Sequence, residues 1–174
     1  EEFDTSLKRI FYSLEMMNEE LVQALALGDS LLLQKIIVKD GQINRLADFC
    51  RRVINSGQTQ FLHRPAVFYY LVEQLERIGD IYKNIAQAAL DKKILSGKSS
   101  QELFAEINAL LIQYRTLFLK FNLQDFEQFG KNFYALRKKI DALQEQKHDK
   151  GLYYYQKFLL ETIIDMNGAL LTLY

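Results

Sequence analysis

Long stretches of this 174-residue chain contain neither proline nor glycine, and through them apolar residues recur at spacings of three and four. On a 3.6-residue turn, those spacings collect one apolar face. With only one proline and eight glycines, the backbone has few places to break. A first stretch carries Leu7, Phe11, Leu14, Met17, Leu21 and Leu25, and Gly28-Asp29-Ser30 then reads as a helix end followed by an N-cap. A second carries Leu32, Ile36, Ile43, Leu46, Cys50 and Val53, and stops at Asn55-Ser56-Gly57. Pro65 suits the first turn of a third helix, with Val67, Leu71, Leu75, Ile78, Tyr82, Ile85 and Ala89 on one face. The fourth carries Leu103, Ile107, Leu110, Tyr114, Leu117 and Phe121, and the fifth Phe126, Phe129, Phe133, Leu136, Ile140 and Leu143. After a polar turn at 144–151, the sixth carries Leu152, Tyr155, Leu159, Ile163, Met166 and Leu170. No β-hairpin signal interrupts the series. The pattern predicts an all-α chain of six helices.

Those six divide as three plus three. The third and sixth superpose without a gap at an offset of 85: Phe68-Tyr69-Tyr70 falls on Tyr153-Tyr154-Tyr155, Glu76 on Glu161 and Asp80 on Asp165. The second and fifth match more loosely at an offset of 97, where Ile43-Asn44-Arg45-Leu46 meets Ile140-Asp141-Ala142-Leu143. Repeated units bury faces that one copy leaves open. The expected organisation is two tandem three-helix bundles, residues 1–95 and 98–174. They are joined at the polar "SGKSS" of 96–100, where Ser100 is the expected N-cap.

Composition narrows the function. Basic and acidic residues balance at 22 each, with no basic stripe for duplex nucleic acid and no polybasic cluster for a membrane surface. A single cysteine, Cys50, excludes an intrachain disulfide and leaves too few thiolates for a cysteine-based zinc site; a reducing, cytoplasmic setting is expected. No apolar run is long enough to span a bilayer, and no signal peptide is visible. The chain opens at Glu1 rather than Met, as a piece of a longer protein would. There is no Gly-rich phosphate loop and no nucleophile motif. The Glu-x-x-His spacing of di-metal oxidases occurs once, at Glu145 and His148 in the polar turn, whereas a paired site needs two copies. His63 and His148 read as surface residues, and Cys50 as inert core. Arg51-Arg52 is a basic pair able to meet an anion, although such pairs are common on surfaces.

The most specific string is "LERIGDIYKNIA", Leu75–Ala86, which sets Glu76 and Asp80 one turn apart on an otherwise apolar helix. It resembles the signature of the PhoU family of phosphate-uptake regulators: Glu76, Arg77, Ile78, Gly79 and Asp80, then Asn84, Ile85 and Ala86. The resemblance extends more loosely along the chain and implies a fold of two tandem three-helix bundles. It also implies a second acidic pair on the second helix of each repeat, and iron or zinc bound where the pairs are intact. Here those pairs are altered. The first reads Asp40-Gly-Gln-Ile-Asn44 and the second Arg137-Lys-Lys-Ile-Asp141. The sixth helix keeps Glu161 and Asp165 but has Ala169 in place of Asn84.

Like charges at i and i+4 repel by a few tenths of a kcal/mol, about, and need a partner. If the second helix lies beside the third, Asp40, Asn44, Glu76 and Asp80 would converge on a divalent cation such as magnesium, manganese, iron or zinc. Asp141, Glu161 and Asp165 would form the corresponding set in the second repeat. The competing reading is an ion-paired face, with Arg77, Lys83 or Arg45 as the partner. Gly79 is expected to mark a close helix–helix approach, Asn84 to hydrogen-bond between helices, and the aromatic runs to fill the core or the junction between bundles.

What the resemblance implies for function is a non-enzymatic regulator. It would bind a phosphate transporter, and a sensor kinase, on the cytoplasmic side, reach the membrane only through that partner, leave nucleic acid untouched and form a homodimer. Two alternatives are a soluble PhoU-like regulatory domain of a longer protein, either a sodium–phosphate cotransporter or a DNA-binding regulator, and a metal-dependent helical-bundle enzyme.

Overall fold

The computed structural model describes residues 2–57, 63–92, 96–144 and 150–174, and among these there is no strand. The elements are α1 (Glu2–Leu27), α2 (Ser30–Asn55), α3 (Pro65–Lys92), α4 (Lys98–Leu119), α5 (Leu123–Gln144), α6 (Lys150–Asp165) and α7 (Asn167–Leu173). The six predicted helices are present, the last divided at Met166. There the Met166 amide bonds back to Ile163 and the Ala169 amide to Met166, a tightening from four-residue to three-residue spacing. The Met166 carbonyl also accepts a 2.8 Å hydrogen bond from the Tyr114 hydroxyl, so the break is held from α4. Glu145 and His148 lie outside the described residues.

The punctuation is local chemistry. Gly28 adopts φ 66°, a left-handed conformation that ends α1 without a Cβ penalty. The Asp29 carboxylate then accepts the amides of Leu31 and Leu32, both at 3.0 Å, and caps α2. Ser100 does not cap α4, which starts from Gly97 without a side-chain cap. It is buried inside the helix instead, where the Gln156 amide of α6 donates to its carbonyl and its hydroxyl at 2.8 and 2.9 Å.

Helices α1, α2 and α3 pack on one another, as do α4, α5 and α6. The two bundles meet where α1 lies against α4 and α3 against α6 and α7, and one apolar core runs through both. Aromatic rings fill the junction: Phe3 meets Phe68 edge-on at 5.6 Å, Phe11 lies 5.8 Å from Phe118, and Phe68 lies 6.3 Å from Phe118. Burying each such ring contributes about 1.5–3 kcal/mol, so the bundles are joined by core and not by a linker alone. Of the aromatic runs, Phe68 and Tyr153 face inward, while Tyr69, Tyr70 and Tyr154 remain exposed.

Polar contacts supplement this junction. Glu15 of α1 takes both Nε and Nη2 of Arg115 of α4, at 2.6 and 3.3 Å, and the guanidinium lies 4.5 Å above the Tyr12 ring. Arg77 of α3 lies 4.7 Å above the Phe158 ring of α6, and the Tyr70 hydroxyl donates to the Asp165 carbonyl at 3.1 Å.

Candidate functional site

The α2 stripe explains the site. Its buried residues are Leu33, Ile36, Asp40, Ile43, Ala47, Cys50 and Ile54, with Leu32, Leu46 and Val53 at the edge. Asp40 therefore occupies a core register, four residues after Ile36 and three before Ile43, and is only 4% exposed. Helix α3 passes close to it because Gly79 faces α2. A Cβ at position 79 would lie 3.4 Å from both Asp40 Oδ1 and Ile43 Cδ1, at the limit of ordinary contact. Gly79 thus marks the close approach expected of it.

A carboxylate buried there needs a counter-charge. Lys83 supplies it. Its ammonium lies 2.9 Å from Asp40 Oδ2 and also binds the Asp80 carboxylate one turn back on the same helix face. Asn44 adds a 3.2 Å hydrogen bond from its amide to Asp40 Oδ2. Partial burial lowers the Lys83 pKa, but the two carboxylates outweigh it and hold the ammonium above the usual lysine value. Asp40 Oδ1 and Asn44 Oδ1 are buried without a hydrogen-bond partner among the described residues.

Glu76 faces a different cation. Arg51 of α2 approaches its Oε2 at 2.5 Å, binds Glu73 as well, and takes Asp48 on its own helix at 3.0 Å. The bond from Glu76 is the largest influence on Arg51 and raises its pKa further. The anions met by Arg51 are therefore within the chain. Nearby, burial pushes the Cys50 thiol up to about 11, which keeps it protonated and unreactive near neutral pH.

The corresponding residues of the second bundle are paired as well. Arg137 Nε of α5 lies 3.4 Å from Glu161 of α6, and Lys157 of α6 lies 2.7 Å from Asp141 of α5. Asp165 is exposed and holds no ion pair among the described residues. Glu76 is thus drawn to Arg51, away from the Asp40–Asp80 pair, and in the second bundle Glu161 and Asp141 pair with different cations. The fold brings together Asp40, Asn44 and Asp80, but around Lys83. Among the described residues, no group of three or more His, Cys, Asp or Glu side chains is placed to hold a metal ion. As arranged, the set does not fit a divalent cation.

Of the partners considered from sequence, Lys83 is used. Arg77 stacks on Phe158 instead, and Arg45 has its guanidinium 3.8 Å from where a Cβ on Gly41 would sit. Asn84, expected to link helices, is exposed on α3. Sequence reasoning missed Arg51 as the partner of Glu76, and the Glu15–Arg115 pair altogether. The first had a readable signal in Arg51 sitting one residue beyond the buried Cys50. The second, 100 residues apart, had none. Surface grooves lie elsewhere, one between α4 and α5 lined by Glu106, Ala109, Gln113, Asn132, Ala135 and Lys139. No described helix is long and apolar enough to cross a membrane.

Comparison with known proteins agrees with this fold. Residues 7–89 match the family model described as the PhoU domain. Two solved structures share the fold. The phosphate transport system regulatory protein PhoU from Streptococcus pneumoniae aligns with a TM-score of 0.75 at 19% identity, over 97% of this chain and 91% of that one. A PhoU-like protein from Shewanella oneidensis MR-1 aligns with a TM-score of 0.64 at 13% identity, over 95% and 96% respectively. A search of curated proteins found no match. Residues 7–89, just under half of the chain, thus resemble the PhoU domain, and the chain as a whole shares the fold of PhoU-like proteins of known structure.

Proposed function

We propose that this chain regulates phosphate uptake by binding, without catalysis, to a phosphate transporter or its sensor on the cytoplasmic side of the membrane. The observation that carries the reading is the PhoU-domain match over residues 7–89, within a fold shared over nearly the whole chain with a phosphate transport system regulatory protein. The architecture suits such a role. A continuous core makes the two bundles one scaffold, and exposed rings at Tyr69, Tyr70, Tyr154 and Phe158 line the α3–α6 side that a partner protein would meet. Residues 1–95 and 98–174 act in this reading as two copies of one unit. Positions 71, 75, 78, 81 and 85 of α3 are all buried, and so are 156, 160, 163, 166 and 170 at the same offset.

The test is phosphate uptake in cells lacking the chain, together with crosslinking of the tagged protein to a phosphate transporter in membranes at low and high phosphate. Deregulated uptake and a phosphate-dependent crosslink are expected. Normal uptake with no crosslink at any phosphate level removes the proposal.

A further inference from the structure

The acidic residues between α2 and α3 pose an electrostatic problem that metal would ordinarily solve. Asp40 is almost completely buried where Gly79 lets the two helices approach, so it cannot turn away into water, and the half-exposed Asp80 on the neighbouring helix binds the same lysine. The charge must be met inside the site. Lys83 meets it. Set three residues after Asp80, it shares that residue's helix face and extends to the Asp40 carboxylate on the neighbouring helix. Its ammonium therefore lies between two carboxylates of different helices, as a bridging cation would.

We propose that Lys83 is the resident cation of this site: it substitutes for a divalent metal, makes the α2–α3 face independent of metal, and masks a latent cation site formed by Asp40, Asn44 and Asp80. Three features support the substitution over an incidental surface pair. Asp40 is in a core register and not on a solvated face. Asn44 steadies the same carboxylate oxygen, Oδ2, that Lys83 binds. Asp40 Oδ1 and Asn44 Oδ1 are left buried and without partners, two hard oxygen donors that one ammonium does not saturate. Removing the lysine side chain would leave an acid pair and an amide oxygen open to a metal.

The experiment uses the full chain purified without chelator or affinity-tag metal, as wild type, Lys83→Met, Lys83→Arg and the double variant Asp40→Asn/Lys83→Met. Metal content is read by mass spectrometry, and melting temperature is read with EDTA and with millimolar Mn²⁺. Wild type is expected to hold no stoichiometric divalent metal and to melt at the same temperature in both conditions. Lys83→Met should melt roughly 5–10 °C lower in EDTA, because a buried carboxylate has lost its partner, and should recover most of that in Mn²⁺. Lys83→Arg should stay near wild type. The double variant, with neither charge, should regain stability in EDTA and ignore Mn²⁺. Stoichiometric metal in wild type, a response of wild type to Mn²⁺, an unshifted Lys83→Met, or a destabilised Lys83→Met that Mn²⁺ does not rescue would each overturn the proposal. If Lys83→Met fails to fold, the double variant decides: a stable double variant upholds the role of Lys83, and an unfolded one ends it.

Discussion

The two bundles carry the same kind of acidic face and stabilise it to different depths. In the first, Asp40 and Arg51 keep 5% and 17% of their side-chain surface, and each binds acids of α3 or is bound from it. In the second, Arg137, Glu161, Lys157 and Asp141 all keep a third or more. Position by position the signs also differ, since Asp40 aligns with Arg137 and Asn44 with Asp141. An exposed pair in high dielectric contributes between nothing and about 1 kcal/mol, whereas removing one partner of a buried pair costs about 3–5 kcal/mol. An ion pair on one face is therefore unequal in consequence to one on the other, and burial sets the scale.

Four measurements would break or sharpen this contrast. The largest effect is expected from Gly79→Leu, which drives a branched side chain into Asp40 and Ile43 and should cost about 3 kcal/mol of unfolding free energy in urea titration. A cost below about 1 kcal/mol would show that the α2–α3 contact is looser than the 3.4 Å approach at Gly79. Next, Arg51→Met strands Glu76 and Glu73 and should cost about 2 kcal/mol, against no more than about 0.5 for Arg137→Met. Equal costs would remove the distinction between the faces.

A smaller effect of opposite sign is expected at Gly130, inside α5, where a Cβ would meet nothing within 4 Å. Gly130→Ala should stabilise by about 0.5–1 kcal/mol through helix propensity alone. Gly79→Ala, touching Asp40 at the contact limit, should gain less than that, and the thermal melts of the two variants make the comparison. The smallest effect concerns pH. The folded pKa of Lys83 is raised, so its contribution is fully present below the ordinary lysine value of 10.5 and is lost as pH rises through the raised value. Cys50 acts in the same direction, losing stability from the ordinary thiol value of 9.0 up through about 11. In a Cys50→Ala background, stability should still fall at the alkaline end, because burial also raises the Tyr82 and Tyr114 hydroxyls, and Lys83→Met should make that slope shallower. A slope that Lys83→Met leaves unchanged would remove Lys83 from the effect.

Much of the architecture was legible in the sequence. The apolar spacing located every helix, because a 3.6-residue period read over twenty or more residues is hard to mistake. The stops at Gly28 and Gly57 were equally visible, since both take positive φ. Two local expectations failed for a shared reason. Ser100 has the chemistry of a cap and Asn84 that of an interhelix link, but tertiary contacts decided both. Gln156 draws Ser100 into the core, and the helix rotation leaves Asn84 in water. The split of the last helix at Met166 was hidden likewise, because what holds it is a hydroxyl on α4.

At the candidate site the division falls between composition and contact. The sequence by itself determined that two acids lie one turn apart on α3, that Asp40 shares the register of Ile36 and Ile43, and that a lysine follows Asp80 on the same face. Helical periodicity fixes all of these. Only the tertiary structure decided which charge meets which. That depends on how closely α3 crosses α2 at Gly79, and on which long side chain reaches a buried carboxylate. The spacing of α3 leaves a metal ion and a lysine equally open; the approach of the two helices gives the position to Lys83.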